Sequence, residues 1–145
     1  MNHFKLIILT MSSLIIISCE KDDICPDSTQ TTPQLVVAFY DALDPQQSKT
    51  VESLAVYAIK DSELILIENI NGINTDSIAI PLRNDIGVSN FRFIKNYSVE
   101  NDIIFGDLNH VYIDYEMTDV FISRACGFIT NYSILSLVPY DILQD

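Results

Sequence analysis

Beyond residue 33 the chain is a succession of short apolar runs broken by turn residues. Runs at 34–41, 50–59, 63–70, 76–82, 88–94, 102–105, 110–117, 120–128 and 132–138 are rich in Val, Ile, Tyr and Phe. Such side chains fit a pleated, half-buried surface, so each run is expected to be a strand. Alternation is cleanest in three of them. Ile78, Ile80 and Leu82 oppose Ser77 and Ala79; Phe91 and Phe93 bracket Arg92; and Val111, Ile113, Tyr115 and Met117 oppose His110, Tyr112, Asp114 and Glu116. A period of two gives one buried face and one wet face. Leu64 to Ile67 are apolar on both faces and are expected at the centre of a sheet. In 120–128, Val120, Ile122 and Cys126 share parity with Arg124, a conflict that a bulge would relieve. Gly72, Gly87 and Gly106 fall between runs as turn residues, Pro45 marks a connection, and Pro81 marks an edge strand or strand end. No window keeps a 3.6-residue apolar period long enough for a helix, the nearest being Val51 to Lys60. The expectation is an all-β fold, an antiparallel β-sandwich, immunoglobulin-like or related, of about seven to nine short strands with little helix.

The first residues follow another pattern. "NHFK" carries one Lys, "LIILTMSSLIII" is an apolar core, and Ser18 precedes Cys19. This is the three-part layout of a secretory leader. The run is shorter than the roughly 20 apolar residues of a membrane-spanning helix and is followed by acid, not by a basic flank. Ile16 to Cys19, "IISC", resembles the bacterial lipobox, in which the cysteine is acylated and becomes the first mature residue. The resemblance implies a leader at 1–18, lipidation of Cys19 and stable attachment without spanning, because several acyl chains bind far more firmly than one. Glu20 at the second mature position, where Asp commonly retains such lipoproteins in the inner membrane, implies delivery to the outer membrane. Glu20, Lys21, Asp22 and Asp23 resemble a short export signal to the cell surface, the alternative being a solvated acidic linker. Residues 19–33, polar and punctuated by proline, read as a tether, and 34–145 as a single β domain.

Composition narrows the partners. The whole chain has a formal net charge of −12, and removal of residues 1–18 leaves seven Lys or Arg against twenty Asp or Glu, a net charge of −13. Nucleic acid and anionic lipid surfaces attract clustered bases, which are lacking here. An envelope protein or glycan is the expected partner.

Catalytic chemistry finds little support. After the leader one histidine remains, His110, on the expected wet face beside Asp107, Asn109, Tyr112 and Asp114. Zinc sites use several His or Cys ligands, and none stand at ligand spacing. There is no G-x-S-x-G elbow, and abundant carboxylates do not by themselves place a glycosidase pair. "DIIFGDLN" puts Asp102, Asp107 and Asn109 in one stretch but lacks the spacing of a calcium loop. Seven tyrosines could stack a sugar, but tyrosines at strand parity mostly belong to cores and rims. No catalytic residue, metal or cofactor is expected. Cys25 and Cys126 remain, and in an oxidising compartment they read first as a disulfide, against two free thiols or a redox pair, for which C-x-x-C spacing is missing. The bond would leave about six tether residues free, a reach of roughly 20 Å, in place of some fifteen residues and roughly 50 Å.

"CEKDDIC", "TTPQLVVAFYD", "DSIAIPL" and "SRACGF" together resemble a family of small uncharacterised bacterial lipoproteins carrying a domain of unknown function. The resemblance implies the Cys25–Cys126 bridge and marks Phe39, Tyr40, Asp41, Pro81, Arg124 and Gly127 as family positions. It brings no activity. Arg124 is expected to pair with a carboxylate, Asp41 being a candidate, as a structural salt bridge sooner than as a ligand clamp. The functional expectation is an outer-membrane-anchored, non-enzymatic binding or scaffolding module; the alternatives are a small envelope hydrolase or glycan-processing factor, and an accessory subunit of an outer-membrane complex.

Overall fold

The structure, a computed structural model, describes residues 24–140. The expected leader at 1–18, the expected lipidation position Cys19 and the expected sorting residues Glu20, Lys21, Asp22 and Asp23 lie outside them. Eight strands and no helix occupy the described residues: β1 Leu35–Ala38, β2 Val51–Lys60, β3 Glu63–Leu66, β4 Ile73–Thr75, β5 Ser77–Ile80, β6 Val88–Glu100, β7 Ile103–Ser123 and β8 Gly127–Tyr140. They form two antiparallel sheets, a pair β1–β5 and a larger sheet ordered β3-β2-β6-β7-β8 with β4 joined to β2. The all-β sandwich expectation holds. The expectation of uniformly short strands does not, because the runs at 102–105, 110–117 and 120–123 are one strand of 21 residues.

The chain divides into two compact units. The first is built from residues 32–119 and 130 onward. Its core is the facing surface of the two sheets: Ile78 and Ile80 of β5 pack with Leu54, Val56, Phe91, Phe93, Ile113 and Tyr115, all buried, while Leu35 and Val37 of β1 and Met117 of β7 close around them. The alternation read at 77–82, 91–93 and 111–117 therefore places the correct faces inward. Buried hydroxyls are satisfied: Ser89 Oγ lies 2.7 Å from Tyr115 Oη, which donates to the Arg83 carbonyl at 2.9 Å. This removes the cost of an orphaned polar group.

Two bulges organise the larger sheet. The β2–β4 register shifts between Val51 and Leu54, with Ser53 at φ +44°, so Val51 and Leu54 both reach the core although three residues apart. The β6–β7 register shifts between Lys95 and Ser98 around Asn96 at φ +55°. Phe91, Phe93 and Lys95 share one face before the shift, while Tyr97 after it packs with Ala55, Tyr57 and Ile94 on the other. Opposite sits Gly106 at φ +145°, where a Cβ would come within 2.5 Å of Ile94 Cγ2 and 2.7 Å of the Lys95 carbonyl. Gly106 is thus a bulge partner inside β7, not the turn residue its position suggested.

The tight turns are Asp61–Ser62 and Asn101–Asp102, each with two consecutive positive φ values, the backbone of a two-residue hairpin loop. The first folds β3 back on β2 as an edge strand with Leu64 and Ile65 exposed. This corrects the central placement expected for 64–67: β3 pairs with β2 alone and ends the sheet on that side.

The second unit contains residues up to Thr31 together with Val120–Ile129. Its hairpin tip turns at Arg124–Cys126, with Gly127 at φ +72° and the Cys126 amide donating to Ser123 Oγ at 3.1 Å. The parity conflict at Arg124 marked this turn, not a bulge within a continuous strand.

Candidate functional site

Cys25 and Cys126 are joined in a disulfide with a Cα separation of 4.9 Å. The hairpin tip presents Cys126 because the three-residue turn and the left-handed Gly127 reverse the chain there. The Thr29 hydroxyl stands 3.7 Å from its sulfur. Phe121 and Phe128 meet edge to face across the hairpin at 5.2 Å.

In the first unit, the small sheet covers part of the larger sheet's inner face and leaves a trench of about 260 Å³. Its walls are Val37 of β1, Phe39 just after it, Leu54 of β2, Phe93 of β6, Val111 of β7 and Leu137 of β8. Lys95 and Asn109 are its polar residues. They fall on the core-facing parity of β6 and β7, one step beyond Phe93 and Val111, where the apolar stripe ends. A second, more open cavity of about 560 Å³ shares Phe39, Val51 and Lys95 and adds Lys49, Glu52 and Asn96. Asp107 accepts from Asn96 Nδ2 at 2.8 Å and lies 3.4 Å from Lys95 Nζ. An apolar slot with a few polar groups at one end can take up an apolar side chain or acyl segment and orient it by its polar end. Five strands contribute to it, so no local stretch of sequence announced it; the one available signal was polar Lys95 and Asn109 continuing two apolar parities.

The opposite face of the larger sheet carries His110. Its register partner is Arg92, whose Nε donates to His110 Nε2 at 3.2 Å. Partial burial, and then the Arg92 charge, hold the His110 pKa below its usual value. A neutral ring with Nε2 already accepting has lost the lone pair that a base would use. On the same face Tyr57 and Tyr97 join hydroxyls at 2.9 Å, and burial followed by that hydrogen bond pushes the Tyr57 pKa up to about 12.

Asp102 sits in the β6–β7 turn and Asp107 five residues along β7, roughly 17 Å away in an extended strand. Among the described residues no group of three His, Cys, Asp or Glu side chains is placed to hold a metal. Asp41 is engaged within its own unit: it accepts from Lys49 Nζ at 2.8 Å and from the Leu43 amide at 2.8 Å, and the lysine hydrogen bond keeps its pKa low. A tight local turn at 41–44 leaves that carboxylate facing its own loop, while Arg124 is exposed at the hairpin tip.

The family described as Family of unknown function (DUF6452) matches residues 53–139. The matched span runs from the β2 bulge into β8 and includes "DSIAIPL", "SRACGF" and Cys126. No curated protein and no solved structure matches the chain.

Proposed function

The chain belongs to the DUF6452 family, and we propose that it is an outer-membrane lipoprotein, acylated on Cys19, whose β domain is a non-enzymatic binding or scaffolding module of the cell envelope. The observation that carries this reading is the Cys25–Cys126 bond. Disulfides persist in oxidising compartments and are rare in reducing ones. Cys25 stands six positions after Cys19, so the same short stretch that resembles a lipobox also supplies half of the bond. The apolar trench supports binding of a partner with an exposed apolar group, and the excess of acid argues against nucleic acid. Glu20, Lys21, Asp22 and Asp23 favour an outward-facing position.

Growth with an alkyne analogue of palmitate should label the full chain in the outer-membrane fraction, and Cys19→Ala should abolish the label. An unlabelled chain released in soluble form would overturn the reading.

The accessory-subunit alternative draws on β8, the last strand of the larger sheet among the described strands, where Ile134, Leu135, Leu137 and Val138 are exposed. Apolar side chains along a strand edge suit pairing with another protein. In-membrane cross-linking from position 135 to one stoichiometric partner would favour it.

A further inference from the structure

We propose that the tip of the β7–β8 hairpin makes a second contact with the bilayer, with Phe121 and Phe128 resting in the lipid headgroup layer; this rests on the Cys19 anchor proposed above. The two rings are 56 % and 67 % exposed, although they lie edge to face 5.2 Å apart. Ile24, beside the disulfide, is 80 % exposed. Large apolar side chains gathered in one place signal a surface that is covered in use.

What covers this one follows from covalent distance. Cys126 is bonded to Cys25, and the six residues from Cys19 to Cys25 span at most roughly 20 Å however they are arranged. Acyl chains on Cys19 fix that residue at the membrane surface, so the tip is held within the same reach of it. Phe side chains on a small exposed element settle about 5–10 Å into the boundary between headgroups and acyl chains. The rings are already set side by side on paired strands, so little further freedom is lost when they enter. Arg124, at the apex of the turn, is exposed and can reach lipid phosphates. The acids Glu20, Asp22 and Asp23 oppose an anionic surface, so the contact depends on the apolar pair.

The chain has no tryptophan, so Phe128→Trp introduces a single indole at the site that can be excited apart from the seven tyrosines. The full chain bearing this change would be reconstituted in vesicles of phosphatidylethanolamine and phosphatidylglycerol, with and without brominated acyl chains, and its acylation read by intact mass. The expected result is a blue-shifted emission quenched at least twofold by the brominated lipid, and loss of most of that quenching when Phe121→Asp is added in a chain that still unfolds cooperatively. An acylated chain whose tryptophan is unquenched would overturn the contact alone, and a blue shift without quenching would assign the cover to protein, not to lipid. A chain without acyl groups on Cys19 would overturn the anchor and the contact with it.

Discussion

At Gly106 the backbone takes φ +145° while the β6 bulge presses against it, leaving no room for a methyl group. Gly106→Ala should therefore cost about 3 kcal/mol, combining backbone strain with overpacking against Ile94 and the Lys95 carbonyl. Urea unfolding at an unchanged m-value is the measurement, and a loss below about 1 kcal/mol would show that the bulge relaxes. His110 makes a different kind of prediction. Its folded pKa lies below the ordinary 6.5, because burial and Arg92 disfavour the imidazolium. Above pH 6.5 both folded and unfolded states are neutral at this residue; as pH falls below it, the unfolded chain binds a proton that the folded chain resists, so stability is lost on acidification. The denaturation midpoint should fall modestly from pH 7.5 to 5.5, and His110→Gln should flatten that decline. Asp85, held down to about 2 by its hydrogen bonds from Arg83, contributes in the same direction but in a lower window: its share is present above about 3.8 and lost toward pH 2, clear of the histidine range.

Strand periodicity was legible wherever a run faced the core on one side, as in 77–82, 91–93 and 111–117. Elements set by backbone conformation were not. Gly106 looked like a turn because a glycine between two apolar runs ordinarily is one; the bulge that demands it lies on the neighbouring strand. β4 escaped notice because Ile73–Thr75 is three residues long in a polar stretch and earns its pairing through the β2 bulge. The disulfide was legible since it needs two residues of one type and a compartment, whereas the trench needs the register of five strands. The Arg92–His110 contact equally depends on β6–β7 register. The hairpin tip offers the test at this scale. Cys126→Ser should lower stability by about 2–5 kcal/mol, the range for losing a native disulfide, with the chain-entropy model giving about 4.7 for a loop this long. Comparison of oxidised and reduced wild-type chain by guanidinium unfolding should reproduce the difference; equal midpoints would show that the bond constrains little.

For the molecule as a whole, the bond between Cys25 and Cys126, at a sequence separation of 101, makes most of the described chain a covalent ring. A peptide bond cut anywhere inside that ring opens it without detaching either half from the other. Limited digestion of the full chain at an exposed loop, such as that bearing Leu43, should give a band that stays whole on a non-reducing gel and splits into two after reduction. A split without reductant would mean that the ring was never closed. Under the proposed Cys19 anchor, shedding from the membrane would take either a cut within the few residues between Cys19 and Cys25 or two coincident events, a nick and a reduction. With that anchor in place, the module's residence at a membrane would depend on the local supply of thiol reductant as much as on protease.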